Sequence, residues 1–145
     1  PLAKELLNQF DSQWRHDVLV MDKWFALQAM QGGDDAISNI KKLYDHPCFD
    51  FSNPNRVRAL VGSFSHFNTA QFHREDGTGY QLLGDLLVKL NAINPQNASR
   101  MLTPFMSWRR YDEVRSVAIK AQLQRLALLD NLSDDLFEKV DKALQ

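Results

Sequence analysis

The chain has 145 residues, of which 44% are hydrophobic, enough for one globular domain with a buried core. Its 17 basic and 18 acidic side chains give a net charge of −1, which disfavours nucleic acid and anionic membranes as partners. The single cysteine, Cys48, excludes an intrachain disulfide bond and favours a reducing compartment, and no apolar run is long enough to span a membrane.

Apolar residues recur at helical spacing along nearly the whole chain, and the alternation typical of β-strands is missing. We therefore predict an all-α fold of about eight helices. The first helix is predicted over about 2–13 and the second over about 15–30, where Gly32–Gly33 ends it. The third begins at Asp34–Asp35, because carboxylates favour a helix N-terminus, and ends before His46–Pro47. Their apolar stripes are Leu2, Leu6 and Phe10, then Val20, Trp24 and Leu27, then Ile37, Ile40 and Leu43.

The middle of the chain carries a well-marked helix start. Asn53–Pro54 combines a capping side chain with a proline at the first helical position. Asn68 is predicted to cap a short helix that ends at Phe72, and 74–79 is predicted as a loop whose two glycines take positive φ. The predicted stripe of the helix after Pro54 consists of Val57, Leu60, Val61 and Phe64.

The last third of the chain contains the clearest helical pattern. Asn94–Pro95 repeats the helix start seen earlier, and Pro104 limits the helix that follows. Asp112 and Ser133 are predicted to open the last two helices. The stripes are Leu82, Leu83, Leu86, Leu87, Leu90 and Ile93, then Val114, Val117 and Ala121, then Leu136, Val140 and Leu144.

The two Asn-Pro helix starts suggest a repeat. Asn53 and Asn94 lie 41 residues apart, and an arginine follows each of them, Arg58 in one case and Arg100 in the other. Paired-helix solenoids repeat every 40 to 47 residues or so. The spacing favours paired antiparallel helices in a HEAT- or armadillo-like superhelix over an irregular helical bundle.

No catalytic or metal-binding motif is recognisable in the sequence. The four histidines do not form a His-Glu-x-x-His arrangement, so ordinary packed or exposed histidines are expected and no metal site is predicted. Glu75 and Asp76 are adjacent in a polar loop, where carboxylates are usually solvated or capping. The cluster from Trp108 to Tyr111 resembles a nucleic-acid contact, but packing at a helix end explains it better. The histidines are His16, His46, His66 and His73.

One group of polar residues has the spacing of a binding surface. Gln96 and Arg100 lie four residues apart after Asn94–Pro95, so both project from the same side of one helix. Arg58 occupies the corresponding helix after Asn53–Pro54. Their donors suit a peptide carbonyl or carboxylate group, although surface arginines are common.

The sequence resembles the C-terminal domain of bacterial aminopeptidase N over essentially its whole length. The run from Leu6 to Gln28, LLNQFDSQWRHDVLVMDKWFALQ, is the longest matching string. Shorter matching strings follow in the same order: Ser52 to Arg56, Phe72–His73 with Glu75 to Gly77 and Gly79–Tyr80, Asn94 to Gln96 with Ala98 to Arg100, and Asn131 to Ser133.

The resemblance implies a helical superhelix at the C-terminus of a four-domain, zinc-dependent aminopeptidase of the cytoplasm. In that family the upstream catalytic domain holds one zinc ion through His-Glu-x-x-His and a distant glutamate, and this sequence contains no such motif. In that family the helical domain covers the catalytic cleft and encloses a cavity that admits peptides and excludes folded proteins. By this resemblance, Gln96, Arg100 and Arg58 match positions on the cavity face.

We therefore interpret residues 1–145 as a single helical domain cut from a longer chain, since it begins at Pro1 without an initiator methionine. The expected function is gating and orienting peptide substrates for a neighbouring catalytic domain. By itself the domain is expected to be inactive and to bind no cofactor. The alternative hypothesis is a free-standing helical-repeat scaffold whose concave face binds a protein or peptide.

Overall fold

The fold was analysed in a computed structural model that describes residues 3–6, 9 and 17–145. Of the predicted first helix, 3–6 and 9 are helical, and the rest lies outside the described residues, as does the predicted start of the second helix at 15–16. The described part of the chain contains no β-strand. The chain divides into two compact units, Pro1–Asn68 and Thr69–Gln145, which we treat separately.

Nine α-helices lie within residues 17–145. The first unit contains α1 (Val18–Ala29), α2 (Ala36–Leu43), α3 (Pro54–Val57), a π-helical segment (Arg58–Gly62) and α4 (Ser63–Phe67). The second unit contains α5 (Thr69–Phe72), α6 (Thr78–Ile93), α7 (Pro95–Met101), two 3₁₀ segments (Thr103–Phe105 and Trp108–Arg110), α8 (Glu113–Ala127) and α9 (Asp134–Leu144).

Four predicted helix starts are confirmed by side-chain caps. Asn53, Asn94, Asp112 and Ser133 each accept a hydrogen bond from the backbone N–H three residues further on, at 2.9 to 3.3 Å. Asp35 also precedes its helix as predicted, but its side chain makes no capping hydrogen bond. Side-chain capping by near neighbours therefore sets these four helix starts.

The core of the first unit forms where α1 packs against the π-helical segment. The predicted stripe after Pro54 is confirmed, because all four of its side chains are fully buried. The stripe of α1 is only partly right. Trp24 is buried as predicted, but Leu27 is exposed, and the predicted stripe did not include Met21 and Phe25, which are fully buried.

A buried ion pair ties α1 to the start of α3. Arg56 is 5% exposed, and its Nε lies 2.7 Å from Oδ1 of Asp22. Its guanidinium also donates to the carbonyl of Cys48 and lies over the ring of Phe25, 5.2 Å from the centroid. These partners compensate the cost of burying a charge.

The core of the second unit lies around α6. Its leucine stripe is buried as predicted, except that Ile93 is exposed. The predicted stripe of α8 is wrong, because Val114 and Val117 are exposed and the helix packs through its opposite side. The buried side of α8 consists of Ile119, Leu123 and Leu126.

Two glycines of the predicted loop 74–79 have different roles. Gly77 has a φ of +76°, as predicted, and precedes α6. Gly79 does not have positive φ and already lies within α6. A Cβ atom at Gly79 would lie 2.2 Å from the carbonyl oxygen of Phe72, so only glycine permits this approach of α6 to α5.

Two buried asparagines join segments that are far apart in the chain. Asn68 donates to the carbonyls of Ala29 and Gln31, both at 2.9 Å, and so satisfies the end of α1. Asn91, on α6, donates to the carbonyl of Asn131 at 2.9 Å and accepts from the N–H of Ser133 at 3.0 Å. Asn91 thereby holds the start of α9 against α6.

We expect Asn91→Ala to lower the free energy of unfolding by about 2 kcal/mol, because it leaves a carbonyl and an N–H without partners. Asn131→Ala is the matched control, because Asn131 contributes only its backbone carbonyl, and its effect should stay within about 0.5 kcal/mol. Urea unfolding of both variants measures the difference, and equal stabilities would contradict the assignment.

Candidate functional site

Gln96 and Arg100 lie on the exposed side of α7. Asn94 and Pro95 start this helix, and Ala98 and Met101 anchor it in the core. Gln96 and Arg100 are exposed, one helical turn apart. Within the part of the chain that the structure describes, neither side chain has a hydrogen-bond partner. Their donors are therefore available to a ligand.

Arg58 lies in the first unit, at the first position of the π-helical segment. It is exposed, and its Nη2 donates to Oδ1 of Asn55 at 2.6 Å. The nearby Arg56, in contrast, is committed to its buried ion pair with Asp22. Single π-helical turns inside α-helices occur frequently at functional sites. That the three side chains Arg58, Gln96 and Arg100 line one cavity stays a prediction.

The structure also brings together a polar cluster in the second unit that the sequence analysis did not connect. His73 Nδ1 lies 2.6 Å from Oη of the fully buried Tyr80, and the rings of His73 and Tyr111 are 4.5 Å apart. Arg115 Nε donates to the carbonyl of His73 at 2.6 Å, and its Nη1 donates to Asp112 at 2.6 Å. The cluster joins the end of α5, α6 and the start of α8.

The protonation states within this cluster follow from burial. Burial first, and the charge of Arg115 second, lower the pKa of His73, which is therefore neutral at pH 7. Burial raises the pKa of Tyr80 to about 12, so its phenol keeps its proton. Since a buried hydroxyl needs an acceptor, we assign the Tyr80 proton to a hydrogen bond with Nδ1, which leaves the His73 proton on Nε2.

An open pocket of about 370 Å³ lies beside this cluster. Two of the three guanidinium nitrogens of Arg115 are already engaged by His73 and Asp112. The charges at this pocket therefore neutralise each other, and the cluster serves to hold the loop before α6 against α8. The pocket is lined by Thr69, Ala70, His73, Tyr111, Asp112 and Arg115.

The adjacent carboxylates Glu75 and Asp76 do not form an acid-base pair. Asp76 accepts from the N–H of Thr78 at 3.0 Å and from its hydroxyl at 2.7 Å. These hydrogen bonds lower the pKa of Asp76 to about 2, with a smaller contribution from Arg74. Asp76 therefore stays ionised and anchors the start of α6.

The cluster from Trp108 to Tyr111 contributes to packing, which is the interpretation that the sequence favoured. Trp108 Nε1 and Arg109 Nη1 both donate to the carbonyl of Ala143, at 2.9 and 2.8 Å. The guanidinium of Arg109 lies 4.3 Å from the centroid of the Trp108 ring. These groups satisfy the C-terminal end of α9.

The other described histidines, His46 and His66, belong to different segments of the first unit. His46 accepts from the N–H of Cys48 at 3.0 Å and packs against Trp24, His66 is exposed at the end of α4, and His16 lies outside the described residues. Among the residues that the structure describes, no group of three His, Cys, Asp or Glu side chains could hold a metal ion. No helix in this part of the chain is both long and apolar enough to cross a bilayer.

Comparison with known proteins gives consistent similarities. Residues 1–145 match a family described as a domain of unknown function (DUF3458_C) with ARM repeats. The chain is 51% identical over 140 residues to a Haemophilus influenzae protein named Aminopeptidase N, covering 97% of this chain and 16% of the relative. It is 44% identical over 144 residues to the Escherichia coli Aminopeptidase N, covering 99% of this chain and 17% of that relative.

A solved structure shows the same fold. The crystal structure of Legionella pneumophila aminopeptidase A in complex with aspartic acid superimposes with a TM-score of 0.91 at 36% identity. The match covers 98% of this chain and 16% of the other. The chain thus spans roughly a sixth of the length of these proteins. The ARM-repeat description confirms the predicted all-helical, armadillo-like fold class.

We expect the imidazole of His73 to titrate below the ordinary histidine pKa of about 6.5. Arg115→Gln should raise this pKa without fully restoring it, because burial remains. In the unmodified chain the lowered pKa means that the folded state binds fewer protons than the unfolded state. His73 therefore contributes stability above about pH 6.5, and this stability is lost on acidification. NMR titration of the ring protons measures the pKa.

Arg125→Gln is the control for this titration, because Arg125 lies on the same helix but pairs with Asp85. It should leave the His73 pKa unchanged. An unmodified chain in which His73 titrates at or above the ordinary value would contradict the description of the cluster.

Proposed function

This chain belongs to the DUF3458_C family of ARM-repeat domains, and we propose that it is the C-terminal helical domain of a zinc-dependent aminopeptidase of the aminopeptidase N type. The main support is the high identity to two proteins of that name, which extends over nearly every residue of this chain but only about a sixth of theirs. The matching region is thus part of a larger polypeptide in both relatives.

In the proposed function, peptide-bond cleavage takes place outside these residues. In this proposal an upstream catalytic domain of the same chain holds the zinc ion, and the described residues contain no group of three candidate metal ligands. The helical domain closes over that domain and admits peptides while excluding folded proteins. The cytoplasm is the proposed location, which cell fractionation tests.

Substrate orientation is assigned to the exposed donors on α7 and at the π-helical segment. Gln96 and Arg100 present an amide and a guanidinium group from one side of a helix whose other side is buried. A guanidinium binds a peptide carbonyl or C-terminal carboxylate through charge-assisted hydrogen bonds. Arg58 is already oriented by its hydrogen bond to Asn55, which lowers the entropy cost of binding.

We expect Arg100→Ala and Arg58→Ala, made in the full-length enzyme, to lower kcat/KM for longer peptides about tenfold, since a hydrogen bond to a charged group contributes about 1.5 kcal/mol or more. Substrates of a single aminoacyl group should be affected less. Arg110→Ala is the control, because Arg110 is also exposed but lies outside the proposed surface. Unchanged constants in both variants would remove these arginines from the substrate site.

The 145-residue chain alone is expected to bind no stoichiometric zinc and to hydrolyse no aminoacyl substrate. Metal analysis after dialysis and a fluorogenic aminopeptidase assay with and without a chelator test this expectation. Chelator-sensitive hydrolysis by the purified chain would contradict the proposal that peptide-bond cleavage takes place outside these residues. A reading frame without a His-Glu-x-x-His segment would instead support the alternative of a free-standing scaffold.

A further inference from the structure

Helix α8 is apolar on two opposite sides. Its buried side packs against α6 and α9 through Ile119, Leu123 and Leu126. With about 100° of rotation per residue, Val117 and Ala121 fall within about 60° of Val114 on the other side of the helix. A helix that is apolar on both sides is typical of an element with neighbours on both sides.

The second side carries well-exposed aliphatic groups. Val114 is 58% exposed, Val117 is 61% exposed, and Leu128, the residue that caps the helix, is 82% exposed. Ala121 lies between them and is also exposed. We call these four residues the outer face of α8. Apolar residues that share one side of a helix mark a contact surface more often than scattered ones do.

The size of the outer face limits what covers it. Four aliphatic side chains offer on the order of a few hundred Å². A stable complex between separate chains buries about 800 Å² on each partner, so this face is too small to hold a second copy or another protein by itself. A contact within one polypeptide needs less area, because the covalent connection already provides a high effective concentration.

We propose that the outer face of α8 packs against an apolar surface in another part of the same parent polypeptide. This inference rests on the proposed function, in which the chain is one part of a longer aminopeptidase. The relatives provide ample polypeptide for such a contact, since about five sixths of their length lies outside the match. The polar residues Glu113 and Arg125 flank the face and form its solvated edge.

The test is thiol protection in the full-length parent enzyme. Val117→Cys and Val114→Cys introduce thiols on the outer face, and Asp135→Cys introduces one at an exposed acidic position at the start of α9 as the matched control. Each variant carries Cys48→Ser. Labelling with a maleimide is followed for each site by peptide mass spectrometry, so that other cysteines of the parent do not interfere.

We expect both outer-face thiols to react at least tenfold more slowly than the control thiol, at all enzyme concentrations. Equal rates would overturn the proposal. Protection that disappears on dilution would also overturn it, because a second copy would then be the occupant. Aminopeptidase activity of the parent is measured separately: its absence contradicts the proposed function, whereas fast labelling in an active enzyme contradicts only the packing of α8.

Discussion

The backbone carbonyl groups at the ends of many short helices must be satisfied, and in this structure side chains from other segments do so. Each α-helix leaves four carbonyls without intrahelical partners, so the nine α-helices of residues 17–145 create a large demand for donors. Side chains from distant segments meet part of this demand, and each donor lies 34 to 42 residues from its acceptor in the sequence. The donors are Asn68, Trp108, Arg109, Arg115 and Lys139.

Some polar side chains are engaged by the fold, whereas others remain available to bind a ligand. Arg56 and Arg58 are two residues apart, yet Arg56 is enclosed by Asp22, Cys48 and Phe25, whereas Arg58 is exposed. Similarly, Trp108 and Arg109 are engaged at the end of α9, while Gln96 and Arg100 have no partner within the described residues. A binding role is therefore better sought among side chains that the fold does not use.

The proposed function fits a module of this construction. Within each unit, buried polar groups that join helices hold the backbone in place, and in the proposed function the exposed donors of that unit orient a substrate. Orientation of this kind contributes to catalysis without any reacting group on the module. The proposed role of the outer face of α8 is consistent with this function, because a domain that acts together with another domain needs a surface on which that domain packs.

The sequence by itself determined the helix starts and the fold class. Asn53, Asn94, Asp112 and Ser133 were recognisable because a cap depends only on a residue and the N–H groups directly after it. The leucine stripe of α6 was equally clear, since its apolar residues lie on one side of the helix. The 41-residue spacing of the Asn-Pro starts pointed to the armadillo-like fold that the family match confirms.

Only the tertiary structure decided which surfaces are buried. Helix α8 carries apolar residues on both sides, so its periodicity could not distinguish Val114 from Ile119. The link between His73, Tyr80 and Arg115 was invisible, because it joins three segments without a common spacing. Burial of Arg56 likewise depends on Asp22, 34 residues earlier. Periodicity and capping are local properties, whereas burial depends on which distant segment packs against a given side chain.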